Sequence, residues 1–424
     1  MTKQRNLSRR AYLGFGVEAT PSPSQPKRER WIISEIDPGS PADKSGLQLG
    51  DDVVRLDDVE VTSLADLRVR GAKRKAEELT SLDVLRKGSL LRLTLHAVPM
   101  PLERLLKGHV MLDEVPWRHE GRELRLRAIW TVPEGPARAV LWLLPSASWV
   151  TQETPLCTWD PGYHLIDQLT AHGVITLRVD RPGLGDSEGP APQETDFHTE
   201  LSAWTAAREY LFEHKLTKSL PRFLYGRSLG GMFAPLLATD KNFDGVIVWG
   251  TSAAPWHAAS LRSFRQQLEQ SNLKGGEFQK HWADTEQLLS LIYEEELSPH
   301  EAFARAPHLA KLFPDEYTQS RIHDRVPAFF QQLNRASIAE AWQEVNCPVL
   351  ALSAEYDILT RPSELKRIVE LAGSRAQFLS MVGVDHFMHQ RTSQKEAVQV
   401  PWGGTFAPEV TRAILNFTRS TFRE

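Results

Sequence analysis

The chain has 424 residues, more than one hydrophobic core usually supports, so two or more domains are expected. Its composition, with 41% hydrophobic and 25% charged residues, is ordinary for a globular protein in water. The formal net charge of -4 provides no general attraction to nucleic acid or to an anionic membrane, so neither is expected as a partner.

Location and redox state can be predicted from two further features. The basic N-terminal segment lacks the apolar core of a secretory signal, and no window is apolar enough over a sufficient length to span a bilayer. A cytoplasmic protein is therefore expected. The two cysteines, Cys157 and Cys347, stand far apart and outside any CxxC pattern. This spacing favours reduced, structural thiols over a disulfide framework or a zinc site, so no metal site is predicted.

The chain changes character near residue 100, where PMPLERLLKG separates two differently patterned regions. We therefore expect a first domain over residues 10–98, a linker over 99–108 and a second domain over 109–424. In the first region, WIISEI is a short strand, SLLRLTLHAV is a closing strand, and turns alternate with short apolar runs between them. This pattern predicts a small, β-rich domain.

The first region resembles a PDZ domain. The segment YLGFG, from Tyr12 to Gly16, matches the carboxylate-binding loop, and GSPADKSGLQLGDDVVRLDDVEV matches the body of bacterial PDZ modules. In such a loop, successive backbone N–H groups converge on a terminal carboxylate, and the next strand pairs with an extended peptide. The resemblance implies that Leu13, Gly14 and Phe15 bind the free C-terminus of a protein or peptide. The alternative is a module that packs on its neighbour or dimerises and binds no peptide.

Strand and helix patterns alternate beyond residue 108. Runs that are apolar on both faces suit central parallel strands, and the helical patterns between them suit right-handed crossovers. The sequence therefore predicts an α/β fold with a mostly parallel sheet flanked by helices. The predicted strands are HVMLDEVPW, LRLRAIWTV, AVLWLLP, VITLRVD, RFLYG, GVIVWG, VLALSA and AQFLSMV, and the predicted helices are YHLIDQLTAH, TELSAWTAAREYLFEH, PSELKRIVELAG and PEVTRAILNFTRSTF.

The stretch FLYGRSLGGMFAPLLA contains a strand that breaks and resumes at once as a helix. The turn between them carries Ser228, with Gly226 and Gly230 two residues on either side, where a Cβ would collide with neighbouring backbone. A serine held above a sheet in this way is a candidate nucleophile, and the backbone N–H of Leu229 is a candidate oxyanion donor. A tight turn can also need glycine without any chemistry, so the motif requires partners.

The chain contains two such partners in the required order. Asp357 ends VLALSAEYD and His386 follows AQFLSMVGVDH, so the acid lies on the second strand after Ser228 and the histidine on the third. Carboxyl ends of parallel strands meet at one sheet edge, where ligands bind. Asp385 is the nearby alternative acid, but a carboxylate directly beside His386 in sequence has difficulty reaching its Nδ1. His389 lies farther beyond the strand end. The structural alternatives are a capping aspartate and a loop histidine.

Together these features resemble the α/β-hydrolase superfamily over about residues 109–424. The glycine-rich segment VDRPGLGDSEGP is similar to the one after the fourth strand in esterases and aminopeptidase-like members. The resemblance implies Ser228 as nucleophile, Asp357 as acid and His386 as base, with no metal or organic cofactor.

The segment after the third strand of this fold differs from that of the relatives. They usually have His-Gly there, whereas this chain has LLPSASW. Pro145 has no N–H, so the second oxyanion donor would be Ser146 or Ala147, and Ala147 is the predicted one.

A helical cap over the catalytic edge is predicted for residues 256–341. This segment lacks strand patterns, is rich in helical runs and lies between GVIVWG and VLALSA. Caps exclude water and shape the substrate pocket. Trp149 and Trp256 are predicted to line an apolar pocket there, and the alternative for each is core packing.

The sequence predicts a serine hydrolase that cleaves an ester, thioester or amide of a small acyl or peptide substrate through an acyl-enzyme on Ser228. Two other functions stay open. The same residues could serve an acyltransferase or a cyclising enzyme, or the chain could be a catalytically inactive scaffold that recruits partners through its PDZ-like module. The presence of Ser228, Asp357 and His386 argues against the scaffold.

Overall fold

The computed structural model describes residues 7–21, 29–63, 67, 70–71, 74–147, 150–154, 159–239, 243–311 and 320–421. The chain divides into two compact units between Leu102 and Glu103. This division falls inside the segment that the sequence predicts as a linker. No helix in the described ranges is long and apolar enough to cross a membrane.

The first unit is built on an antiparallel sheet over a small apolar core. Its described elements are β1 (Ala11–Tyr12), β2 (Phe15–Pro21), β3 (Glu29–Ile36), α1 (Pro41–Lys44), β4 (Asp52–Leu56), β5 (Val59–Glu60), β6 (Leu79–Arg86), β7 (Ser89–His96) and β8 (Val98–Pro99). The strand order is β2-β3-β4-β6-β7, with β5 paired to β4, while β1 pairs separately with β8. Trp31, Leu82 and Val84 are among the buried residues of its core.

The second unit is an α/β structure around a mixed sheet. Its described elements are β9 (Gly108–His119), β10 (Arg122–Pro133), β11 (Ala139–Leu144), α2 (Pro161–Ala171), β12 (Val174–Val179), α3 (Phe197–Glu213), β13 (Arg222–Arg227), α4 (Leu229–Ala238), β14 (Gly245–Trp249), α5 (Trp256–Gln270), α6 (Gly275–Tyr293), α7 (Pro299–Arg305), α8 (Pro327–Arg335), α9 (Ile338–Glu344), β15 (Val349–Ala354), α10 (Pro362–Ala372), β16 (Ala376–Met381), α11 (Gln394–Gln399) and α12 (Pro408–Ser420).

The order of strands in this sheet is β16-β15-β14-β13-β11-β12-β10-β9. The six strands from β11 to β16 pair in parallel, whereas β10 runs antiparallel to both β9 and β12. All eight strands predicted beyond residue 108 are present. Because β13, β14, β15 and β16 lie side by side and run the same way, their carboxyl ends share one edge of the sheet.

The central strands are buried on both faces because helices cover the sheet on each side. Along β11, Val140, Trp142 and Leu144 belong to one apolar core, and Leu141 and Leu143 belong to another. Side chains alternate between the two faces of a strand, so the two cores lie on opposite faces of the sheet. This arrangement confirms the predicted α/β fold with flanking helices.

The predicted cap segment, residues 256–341, is helical over most of its described length. Helix α5 contacts α6 and α8, while α9 packs on α4 and α10 next to the sheet. Between α7 and α8 the chain makes a tight turn, in which Ile322 and Arg325 exchange two backbone hydrogen bonds of 2.9 Å.

Candidate active site

Ser228 occupies the turn between β13 and α4. Its backbone has φ 52° and ψ -123°, a conformation that residues with side chains rarely adopt. The Ser228 N–H donates to the carbonyl of Trp249 at 2.8 Å, and its own carbonyl accepts from the N–H of Gly231 at 2.9 Å. These contacts hold the serine in a strained strand-to-helix turn at the sheet edge.

The glycines around Ser228 are required by close backbone approach. A Cβ on Gly226 would lie 2.7 Å from the carbonyl oxygen of Gly230. A Cβ on Gly230 would lie 2.8 Å from the carbonyl oxygen of Leu144. Neither position has room for a side chain, so the glycine spacing follows from the steric demands of the turn.

Asp357 and His386 form a buried pair at the same edge. The Oδ2 atom of Asp357 lies 2.7 Å from Nδ1 of His386, and each residue is 3% exposed. The other carboxylate oxygen accepts backbone N–H groups of Leu359 and Thr360, both at 2.8 Å. The carbonyl of His386 accepts from Nε1 of Trp249 at 2.9 Å. The carboxylate is thus fixed on one side by backbone and faces the imidazole on the other.

Asp385, the alternative acid, has different partners. Its Oδ1 accepts the backbone N–H groups of Phe387 and His389, and its Oδ2 accepts from Nε of Arg391 at 2.6 Å. Burial alone raises the pKa of this carboxyl, but hydrogen bonds from His389 and Arg391 outweigh burial and hold the pKa below its usual range. The carboxylate of Asp385 therefore binds groups of its own loop, whereas the carboxylate of Asp357 contacts His386.

Gly250, the first residue after β14, belongs to this site and was missed by sequence reasoning. Its φ is +52°, and a Cβ would lie 2.9 Å from Nδ1 of His386 and 3.1 Å from Oδ2 of Asp357. The aspartate–histidine pair can approach the sheet only because this residue has no side chain. The available signal was the glycine that ends the strand GVIVWG next to the candidate nucleophile's strand.

A cavity of about 300 Å³ lies beside Ser228. Ser228, Leu229, Ala147 and Gly250 line it from the turns and loops at the sheet edge, and Trp256 lines it from α5. Four of the predicted site residues, Ala147, Ser228, Leu229 and Trp256, therefore line one cavity, whereas Asp357 and His386 are not among its lining residues.

Trp256, one of the two predicted pocket tryptophans, has partners in the cap segment. The ring of Trp256 stacks on Phe330 with 4.9 Å between ring centroids, and its Nε1 donates to the hydroxyl of Tyr293 at 3.1 Å. Trp256 therefore packs within the cap segment and also borders the cavity. Trp149 lies outside the described residues.

Metal-ligating clusters and thiols are the other candidate reactive groups in the described part of the chain. No group of three or more His, Cys, Asp or Glu side chains there could hold a metal ion. Burial raises the pKa of the Cys347 thiol to about 11, so this thiol stays protonated and unreactive at neutral pH. Cys157 lies outside the described residues.

The loop before β2 in the first unit turns its carbonyls toward α1 and the turn that leads into it. The carbonyl of Leu13 accepts the N–H of Ala42 at 2.9 Å, and the carbonyl of Gly14 accepts the N–H of Asp37 at 3.0 Å. In a trans peptide the N–H points opposite to the carbonyl, so the N–H groups of Gly14 and Phe15 point away from these partners.

Gly14 itself has no space for a side chain. Its φ is +77°, and a Cβ would lie 2.2 Å from Cβ of Ser40. Within the described ranges, β2 pairs only with β3, which leaves the other edge of β2 without a strand partner.

Two family models match the chain. A PDZ domain matches residues 11–96, and the family described as serine aminopeptidase, S33, matches residues 163–395, which is more than half of the chain. The protein belongs to the S33 serine aminopeptidase family. It is a hydrolase with the α/β-hydrolase fold and an N-terminal PDZ domain, which confirms both resemblances drawn from the sequence.

Solved structures similar to this S33 protein share little of its sequence. DcsB in complex with its substrate analogue is 16% identical, and the match covers 74% of this chain and 100% of that one with a TM-score of 0.47. Est1E from Butyrivibrio proteoclasticus with bound ferulic acid is 14% identical, with coverage of 74% and 100% and a TM-score of 0.48. Proline iminopeptidase from Mycobacterium smegmatis is 15% identical, with coverage of 73% and 98% and a TM-score of 0.45. No curated protein matches the sequence.

Proposed function

We propose that this S33 protein is a serine hydrolase that cleaves an ester, thioester or amide through an acyl-enzyme on Ser228. One observation carries the proposal. Ser228 and Gly250 line the same cavity, and the His386–Asp357 pair, with its 2.7 Å contact, lies against Gly250.

His386 is the general base in this proposal. Its Nδ1 faces a carboxylate, so the neutral ring carries its proton on Nδ1 and keeps the Nε2 lone pair for the hydroxyl proton of Ser228. The serine Oγ attacks the substrate carbonyl while His386 takes the proton. The carboxylate of Asp357 stabilises the imidazolium that forms. The same proton then passes from Nε2 to the leaving group, and water, activated in the same way, releases the acyl group.

The backbone N–H groups of Leu229 and Ala147 stabilise the oxyanion. Leu229 is the first residue of α4, where helix N–H groups have no partner within the helix. Ala147 borders the cavity from the loop after β11. In enzymes of this type, one such donor contributes about 10²- to 10³-fold to kcat.

The cavity indicates a small substrate group. A volume of about 300 Å³ is at the lower end of the range for small-molecule sites. Trp256, Phe264 and Phe330 provide apolar lining. These dimensions support a small acyl or peptide substrate.

Covalent trapping tests the proposal. The full-length protein is incubated with a fluorophosphonate, and the modified peptide is mapped by mass spectrometry. We expect one phosphonyl group on Ser228. An unlabelled protein would favour the inactive scaffold. Products formed with added amines or alcohols in preference to water would favour an acyltransferase or cyclising enzyme.

Gly250→Ala is expected to lower kcat for an activated ester by about 10²-fold, because the new Cβ would displace the His386 ring from its present position. Steady-state kinetics and a thermal unfolding midpoint are measured together. Gly276→Ala is the control, because nothing lies within 4 Å of a Cβ at that position. Equal kcat values for the two variants would contradict the role given to Gly250.

We also propose that the PDZ domain recruits a protein or peptide by its free C-terminus. The fixed carbonyls of Leu13 and Gly14 aim the following N–H groups away from Ala42 and Asp37, and among the described residues the outer edge of β2 has no strand partner, as an extended peptide would need. Recruitment would raise the local substrate concentration to about the millimolar range without changing the catalytic groups.

Peptide binding to the full-length protein is expected to depend on a free C-terminal carboxylate. A fluorescent peptide selected from a C-terminal library should bind at least about 10-fold more weakly after C-terminal amidation, since the amide removes the charge that the backbone N–H groups meet. Fluorescence polarisation measures the difference. If no free-carboxylate peptide binds, or if amidated peptides bind equally well, the domain has a structural role instead.

A further inference from the structure

A buried arginine holds the loop that carries the second oxyanion donor. Arg181 lies shortly after β12 and is 1% exposed. Its Nη2 donates to the carbonyl of Ser146 and, at 3.5 Å, to the carbonyl of Pro145. The loop after β11 is therefore fixed through its backbone oxygens by a side chain from the neighbouring strand.

The contact with Ser146 determines the direction of the next N–H group. In a planar trans peptide, the carbonyl of one residue and the N–H of the next point in opposite directions. Because the Ser146 carbonyl points toward Arg181, the Ala147 N–H points away from it. Ala147 lines the same cavity as Ser228. The guanidinium group thus controls the orientation of the N–H that the proposed mechanism uses at the oxyanion.

Arg181 is itself held by a buried carboxylate that it shares with the cap segment. Its Nε donates to Oε1 of Glu200 in α3 at 2.9 Å, and Nη1 of Arg325 donates to Oε2 of Glu200 at 2.7 Å. All three side chains are 1% exposed. Burial alone raises the pKa of Glu200, but the two arginines outweigh burial and keep it low, so the carboxylate is charged.

Arg325 joins this cluster to the substrate cavity. It lies in the turn between α7 and α8, lines the cavity, and its guanidinium stands over the ring of Phe329 at 3.8 Å. The ionised carboxylate of Glu200 on helix α3 therefore binds Arg325 of the cap segment directly and the loop after β11 through Arg181.

We propose that Arg181 is a positioning residue for the oxyanion hole, and that Glu200 links its orientation to the cap segment through Arg325. The inference rests on the proposed function. A guanidinium suits this task because its planar fork provides separate donors for Glu200, through Nε, and for the loop carbonyls, through Nη2. A lysine ammonium is a single point of charge on a flexible chain and cannot reproduce both directions.

The test is Arg181→Lys in the full-length protein, which retains the charge but loses the fork. We expect kcat for a p-nitrophenyl ester to fall about 10²-fold with little change in KM, because the donor acts in the transition state. Inhibition by a boronic acid, which forms a tetrahedral adduct on serine, should weaken in parallel with kcat/KM. If Arg181 had a purely structural role, boronic acid affinity and kcat/KM would not fall together in this way.

Arg178→Lys is the matched control. Arg178 is 2% exposed, stands on β12 and pairs with both oxygens of Glu103 at 2.8 and 2.7 Å. Its Nη1 also donates to the carbonyl of Gln152, so among the described residues its hydrogen bonds go to Glu103 and Gln152 and not to Pro145 or Ser146. This variant should lose thermal stability without losing affinity for the boronic acid. Glu200→Gln is a second test variant, because it keeps the side-chain shape while removing the charge that orients both arginines. It should lower kcat about 10-fold.

The outcomes separate this inference from the function on which it rests. Fluorophosphonate labelling of wild-type protein at Ser228, together with kcat within about threefold of wild type for folded Arg181→Lys or Glu200→Gln, overturns the positioning role alone. Equal losses of boronic acid affinity in the Arg178 and Arg181 variants also overturn it. A wild-type protein that takes no label overturns the proposed function, and the inference with it.

Discussion

Replacing Ser228 with alanine is expected to abolish fluorophosphonate labelling and to lower turnover of an activated ester by several orders of magnitude. The change removes the Oγ atom that forms the acyl-enzyme. What remains is the cavity and the oxyanion donors, which accelerate a reaction only about 10³-fold over water in the absence of a nucleophile. Labelling is followed by intact mass and turnover by initial rates at saturating ester.

Ser263→Ala is the control for this experiment. Ser263 is another hydroxyl that lines the cavity, on α5. We expect the Ser263 variant to keep its label and its turnover within a few-fold of wild type. Near-native labelling of the Ser228 variant would show that another residue is the nucleophile, and mapping of the modified peptide would identify it.

Asp357→Asn is expected to lower kcat by about 10⁴-fold while leaving the fold intact. The amide no longer favours the ring tautomer with a proton on Nδ1 and cannot stabilise the imidazolium. The variant keeps the size of the side chain and the oxygen that accepts N–H groups from Leu359 and Thr360. The loss should therefore appear in kcat and hardly in the thermal midpoint.

Asp385→Asn is the matched comparison, because Asp385 is an equally buried aspartate next to His386. Its carboxylate bonds to Arg391 at 2.6 Å. Removing this charge should destabilise the protein by about 2 kcal/mol while kcat per folded molecule stays within about 10-fold. Thermal unfolding and active-site titration separate the two effects. A greater loss of kcat in the Asp385 variant than in the Asp357 variant would mean that the acid is assigned wrongly.

The local elements of the hydrolase domain could be predicted from sequence because they depend on short-range patterns. β11 is an uninterrupted apolar run of six residues and β15 is apolar except for Ser353; both are shorter than a typical helix, and neither shows the polar face of a surface helix. The turn at Ser228 was predictable because two close backbone approaches exclude every side chain at Gly226 and Gly230. Both patterns depend only on residues that are close together in the sequence.

The antiparallel part of the sheet was not specified by these patterns. The sequence predicts β9 and β10 as strands. Their composition does not indicate whether they run parallel or antiparallel to their neighbours, or that β10 pairs with β12. Pairing partners are chosen by the packing of the whole sheet. The sequence therefore predicted a mostly parallel sheet, and the structure adds the antiparallel edge.

By itself, the sequence determined the presence of a PDZ domain and an α/β-hydrolase domain, and the order in which serine, aspartate and histidine follow three strands of one sheet. Only the tertiary structure decided that Gly250 lies against the His386–Asp357 pair and that Arg181 and Arg325 both bind the buried carboxylate of Glu200. The physical reason is the sequence separation over which each kind of interaction acts. Apolar periodicity and turn sterics act between residues a few positions apart, whereas a buried ion cluster joins side chains from three distant segments, and its geometry exists only after the sheet, helix α3 and the cap segment have packed together.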